Sequence, residues 1–149
     1  MKKISDEVYY LDENQFSVSR EDITKLKEIA LSNKSGKARL CTHSTTEDTI
    51  HEMFIVHTRD TLVKPHKHTN KVESFHILEG TILLTIYSDL GEIQKQVELS
   101  SIDSTGTLYY KIEKNTFHTI EIFSDVAVFK ETTQGPFQNS NSIFATWNS

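Results

Sequence analysis

Between Ala38 and Glu131, apolar and polar residues alternate in short runs over 53–57, 72–78, 81–87, 93–99, 108–112, 117–123 and 126–131. A period of two sends successive side chains to opposite faces of a strand, and the β-branched and aromatic residues of these runs suit such a surface. Glu79-Gly80 and Ser88-Asp89-Leu90-Gly91 fall between runs and read as turns. Short strands at this spacing, with no helical stretch between them, predict an antiparallel sandwich or barrel. Ahead of them, 19–32 places Ile23, Leu26, Ile29 and Ala30 at helical spacing, with Ser19 and Asp22 set as a capping box and Gly36 just past the end. Residues 8–11 read as a short strand and 12–15 as a turn.

The pattern therefore divides one domain into a strand-and-helix preface over 1–37, a barrel over 38–134 and a C-terminal arm over 135–149. The arm is polar apart from Phe137, Ile143, Phe144 and Trp147, which predicts that it docks by burying these side chains.

Composition narrows the function classes. A chain of 149 residues buries about 70% of its unfolded surface and needs no disulfide or metal merely to fold. With 16 Lys+Arg against 21 Asp+Glu the formal charge is -5, so neither nucleic acid nor an anionic membrane is an expected partner. Cys41 is the one cysteine and cannot form an intramolecular disulfide, and no apolar run reaches the roughly 18 residues of a membrane span. A cytoplasmic, soluble protein is expected.

The chemistry lies in Pro65-His66-Lys67-His68-Thr69-Asn70-Lys71-Val72-Glu73. On a strand, His66 and His68 share a face and present two imidazoles to one point. Glu73, across a short turn, returns a carboxylate to that point, and His118 at the start of a later run is a fourth candidate. Three imidazoles and a carboxylate suit Zn, Mn, Fe, Ni or Cu better than Ca or Mg.

Here the sequence resembles the cupin superfamily. The first cupin motif, Gly-x5-His-x-His-x3,4-Glu-x6-Gly, is matched at His66, His68, Glu73 and Gly80, with Asp60 at the leading Gly. The second, Gly-x5-Pro-x-Gly-x2-His-x3-Asn, is matched only at His118. Thr107, Glu113, Asn115 and Ile122 stand at its other positions, Asn115 being a residue that enters the left-handed region more readily than most. Within the superfamily the chain is most similar to the WbuC-type cupin-fold metalloproteins associated with O-antigen and surface-polysaccharide gene clusters. That similarity rests on 39–43, on Pro65 to Gly80, on Phe117-His118-Thr119, on 131–137 and on Ala145-Thr146-Trp147. It implies a mainly β, metal-holding cupin jelly-roll barrel (a double-stranded β-helix) with a short N-terminal helix, in a lipopolysaccharide or O-antigen context.

The remaining candidates divide by position. His76 alternates with Phe75 and Ile77 and is expected on the outer face, while His51 and His57 carry no spacing signal and read as structural. Arg39 reads either as a clamp for an anionic substrate group or as half of a structural ion pair. Glu131, a carboxylate on the last strand, is inward only if paired or functional. His43 gains weight from the resemblance, and with Glu131 it is the acid/base candidate. Cys41 and the tyrosines 87, 109 and 110 read as packing residues.

The leading expectation is a homodimeric enzyme that holds one divalent transition metal (Zn, Fe, Mn or Ni) and acts on a small polar molecule such as a sugar or nucleotide sugar, as a cupin-type isomerase or oxygenase. The alternatives are a metal-bearing module that binds a sugar or small metabolite without turnover, and a metal-free jelly-roll sugar epimerase.

Overall fold

Helix α1 spans Arg20–Ser32 in the computed structural model, which describes residues 1–104, 106–138 and 141–147. The Asp22 amide donates to Ser19 Oγ at 3.1 Å, and the Ser19 amide donates to the Asp22 carboxylate at 2.8 Å. Orphan donors at the helix start are thereby satisfied, and such a cap contributes about 1 kcal/mol. Leu26 and Ala30 are fully buried against Ala38, Leu40, Val56 and Val128, so the helix covers the outer face of a sheet.

That sheet runs in spatial order β1 (Lys2–Lys3), β2 (Val8–Tyr10), β3 (Lys37–Cys41), β4 (Ile50–Thr58), β11 (Val126–Gln134), β6 (Glu73–Glu79) and β9 (Tyr109–Ile112). The second sheet runs β12 (Ser142–Phe144), β5 (His66–His68), β10 (Phe117–Ile122), β7 (Thr81–Tyr87) and β8 (Ile93–Ser100). Neighbours are antiparallel, save β2 beside β3, which is parallel. The two inner faces meet as a jelly roll: Ile55, Ile77 and Phe129 of the first sheet share one core with Ile82, Leu84, Leu99 and Ile122 of the second.

All seven predicted runs form strands, at β4 and β6 to β11. Strand β3 was not among those runs because its alternation is masked by charge. Its Ala38 and Leu40 face the helix, while Arg39 pairs with Ile55 and Cys41 with Met53, both of the barrel interior. The turn from β6 to β7 requires Gly80: its φ is +82°, and a Cβ there would lie 2.4 Å from the Val126 carbonyl oxygen.

The arm docks, though not as expected. Strand β12 pairs with β5, and Trp147 packs on Tyr87 and Phe117 at ring distances of 4.9 and 6.0 Å. Phe137 and Phe144 stay exposed, so strand pairing rather than aromatic burial carries most of the attachment. Residues 139, 140, 148 and 149 of the arm lie outside the described residues.

Candidate metal centre

One end of the barrel interior is polar. Along β11 the inner face changes from Ala127 and Phe129 to Glu131 and Thr133, and along β6 it changes from Ile77 and Phe75 to Glu73. Directly across, the second sheet presents His118 on β10 in register with His66 on β5, and His68 two residues further. The second sheet thus supplies three imidazoles and the first supplies one carboxylate. Lys67, between the two β5 histidines, points the other way, with its ammonium over the Phe117 ring at 4.4 Å and bonded to Asp89.

The candidate ligand atoms of His66, His68, Glu73 and His118 all lie within 4.8 Å of one another. Ligands about 2.1 Å from one ion are at most about 4.2 Å apart, so the cluster closes around an ion with side-chain movements of a few tenths of an ångström. His68 Nε2 lies 2.7 Å from Glu73 Oε1, and His118 Nε2 lies 3.2 Å from Glu73 Oε2. Glu73 is buried at 4% exposure and His118 at 2%.

Each ring is held from behind. His66 Nδ1 donates to the Lys64 carbonyl at 2.8 Å, and His118 Nδ1 donates to the Thr116 carbonyl at 2.9 Å. A carbonyl only accepts, so Nδ1 carries the proton in both rings and the Nε2 lone pair is turned to the centre. Among the described residues His118 Nε2 is buried without a hydrogen-bond partner. His68 Nδ1 meets Ser142 Oγ at 3.0 Å, a hydroxyl that serves either tautomer of the ring. The inward orphan nitrogen, the fixed tautomers and the N3O donor set fit a divalent transition metal.

Electrostatics in the cluster are tightly linked. Burial pushes Glu73 up, but the two imidazoles of His118 and His68 held against its oxygens outweigh it and hold the carboxyl below the ordinary range. Burial and the neighbouring His118 push His66 down to about 4, which favours the neutral imidazole that a metal requires.

Glu131 adjoins Glu73 on the inner face, where burial and the Glu73 charge raise its pKa against the opposing pull of Arg39 and Lys71. Arg39 points inward and makes no ion pair among the described residues. His43 does not join the four. It stacks on His51 with ring centres 4.0 Å apart and lies edge-on to Tyr10. His51, read as structural, is therefore part of a second polar group, one whose pairing across a turn left no spacing signal. His76 is exposed on the outer face as expected, and Cys41 is buried with its thiol pushed up to about 11 by burial, which makes it inert at neutral pH.

Sequence reasoning missed Lys71 and Ser142. Lys71 Nζ lies 3.9 Å from Glu73 Oε1 with its side chain 15% exposed. Its position two residues before Glu73 was a signal in the sequence; nothing in the sequence pointed to Ser142, which reaches His68 from 74 residues away.

The two sheets and their strand order form a jelly roll of the cupin fold. A protein of known structure from Shewanella oneidensis is similar over 86% of this chain and 85% of its own, with a TM-score of 0.62 and 9% identity. KdgF from a Halomonas species is similar over 73% of this chain and 87% of its own, at 0.55 and 12% identity. The cupin domain of Schizosaccharomyces pombe Cnp3 is similar over 66% of this chain and 64% of its own, at 0.51 and 13% identity. At these identities the likeness is one of fold. The chain belongs to the family described as a domain of unknown function, DUF6016, whose model matches residues 18–99. No curated protein matches it. Among the described residues no helix is long and apolar enough to cross a membrane.

Proposed function

We propose that this cupin is a metal-dependent enzyme in which His66, His68, Glu73 and His118 hold one divalent transition metal. The observation that carries the reading is the convergence of three imidazole Nε2 atoms, from strands joined by the His118–His66 register, on the buried Glu73 carboxylate. Four protein ligands leave one or two positions for substrate or water on an ion that accepts five or six, and such an ion polarises a carbonyl or hydroxyl oxygen. Glu131 is the acid/base residue: it adjoins Glu73, and its burial keeps a proton on the carboxyl closer to neutral pH than in an ordinary glutamate. His43, stacked on His51, is the less favoured of the two candidates. Arg39 binds substrate. The resemblance to WbuC-type cupins supports a sugar-type substrate from surface-polysaccharide synthesis, handled in the cytoplasm by a homodimer.

Elemental analysis of protein purified without added metal tests the reading. About one equivalent of Zn, Fe, Mn or Ni in the natural chain is expected, and none in a His66→Ala, His118→Ala double variant. Absence of metal from the natural chain, with no uptake on reconstitution, overturns it.

A further inference from the structure

We propose that the cavity between the β5–β6 connection and the start of the C-terminal arm seats one edge of a neutral sugar ring, with Asn70, Gln134, Gln138 and Asn141 hydrogen-bonded to its hydroxyls. This deepens the sugar-type reading above and rests on it, while needing no metal.

The cavity has a volume of about 110 Å³ and is lined by Asn70 and Lys71 from the connection and by Gln134, Pro136, Gln138 and Asn141 from the end of β11 and the arm. Its two walls are tied together. Gln134 Oε1 accepts from the Val72 amide at 3.0 Å, the Asn141 backbone carbonyl accepts from the Thr69 amide at 3.0 Å, and Asn141 Nδ2 donates to Gln138 Oε1 at 3.0 Å. These bonds use one end of each side-chain amide. Gln134 Nε2, Gln138 Nε2, Asn141 Oδ1 and both polar atoms of Asn70 make no hydrogen bond among the described residues, so the lining keeps donors and acceptors alike. The cavity adjoins the candidate metal centre: Asn70 and Lys71 lie between His68 and Glu73, and Asn141 precedes Ser142, which meets His68.

The chemistry of this lining selects the ligand. Lys71 is its one charged residue among the described residues, and the ammonium faces Glu73 Oε1 at 3.9 Å, so the cavity offers little net charge to an ion. A carboxylate or phosphate only accepts, which leaves the amide oxygens of Asn70 and Asn141 unmatched; an ammonium only donates, which leaves the free amide nitrogens unmatched. A hydroxyl does both, and neighbouring hydroxyls on a ring meet amides that present a donor and an acceptor side by side. The volume holds about three groups the size of a water molecule, at about 30 Å³ each, which is the edge of a sugar ring and not a whole one. Pro136, and the half-exposed Phe137 beside it with its ring centre 6.0 Å from the Lys71 nitrogen, supply apolar surface for the C–H side of that ring.

Titrations followed by protein amide NMR shifts, with the methyl glycosides of glucose, galactose and mannose as probes, test the proposal. At least one glycoside is expected to bind about tenfold more tightly than tetrahydropyran-2-methanol, which keeps the ring and lacks its ring hydroxyls. Asn70→Ala and Gln138→Ala are each expected to weaken that glycoside about fivefold while leaving metal content unchanged; both side chains are exposed, so both variants fold. Equal binding of glycosides and the stripped ring, unchanged affinity in both variants, or tighter binding of acetate or adenosine than of every glycoside overturns the proposal. Glycoside binding that disappears in chelator-treated protein also overturns it, because the sugar then sits on the metal. Glycoside binding by a chain that takes up no metal overturns the metal reading alone, whereas metal uptake without glycoside binding overturns this one alone.

Discussion

His66, His68 and His118 turn their Nε2 atoms onto Glu73, whereas His43 and His51 lie flat against each other at 4.0 Å and His57 packs edge-on against Phe129 at 5.4 Å. All six belong to one barrel, and all but His43 stand on its strands. What separates the groups is the atom behind each ring. In the first, backbone carbonyls and the Ser142 hydroxyl hold Nδ1, so the orientation of Nε2 is settled before any ion arrives. In the second, His43 Nδ1, His51 Nε2 and His57 Nδ1 are buried with no partner, and no carboxylate joins them in a ligand cluster among the described residues. An inner-face position alone therefore does not make a histidine a candidate ligand; what sets the first group apart is a tied Nδ1 and an Nε2 that converges with its neighbours on Glu73.

The sharpest way to break this contrast is to delete one member of each group. Loss of an outer partner to a metal-bound histidine costs about 10–100-fold in metal affinity, so removal of His118 itself should exceed about a hundredfold. His51→Ala should leave metal content unchanged by elemental analysis. Equal loss from the two variants would erase the distinction.

The next largest effect concerns acid stability in the second group. Burial, helped by the charges of Lys37 and Arg39, pushes His57 down to about 3. Its folded value is below the unfolded one of about 6.5, so the unfolded chain takes up the proton first. Stability tied to His57 is complete above pH about 6.5, falls by up to about 1.4 kcal/mol per pH unit on acidification, and levels off below about 3. In His57→Leu, urea midpoints measured between pH 6.5 and 4 should decline less steeply than in the natural chain. Parallel profiles would show that His57 is not buried in its neutral form.

Ser142→Ala sharpens the contrast within the first group. It removes the 3.0 Å contact to His68 Nδ1 and should weaken metal binding by about tenfold, read in a competition titration with a coloured chelator. Ser142→Thr, which keeps the hydroxyl, should restore most of it. The smallest effect is at His76: its ring is exposed on the outer face, so His76→Ala should change neither metal content nor the urea midpoint at neutral pH by more than about 0.5 kcal/mol.

Much of this was legible in advance, for specific reasons. Ser19 and Asp22 announced the helix start because a capping box is a contact between residues three apart. Glu73, Phe75 and Ile77 alternate inward and His76 outward because a strand has a period of two. Gly80 was readable because its left-handed backbone and its closeness to Val126 exclude any side chain, and Asn115 because its φ is +60°. What stayed hidden was mostly encoded by pairing between distant segments. Strand β12 meets β5 from 74 residues away, and His51 meets His43 across a turn with no fixed spacing.

The residues alone thus determined the local periods, the caps and the chelating pair His66 and His68, because each depends on separations of two to four positions along one strand or helix turn. Only the tertiary structure decided that Glu73 from one sheet closes on three imidazoles from the other and that the arm's Ser142 ties His68. Those facts depend on sheet order and register, which arise from packing the two inner faces together and leave no spacing in the chain.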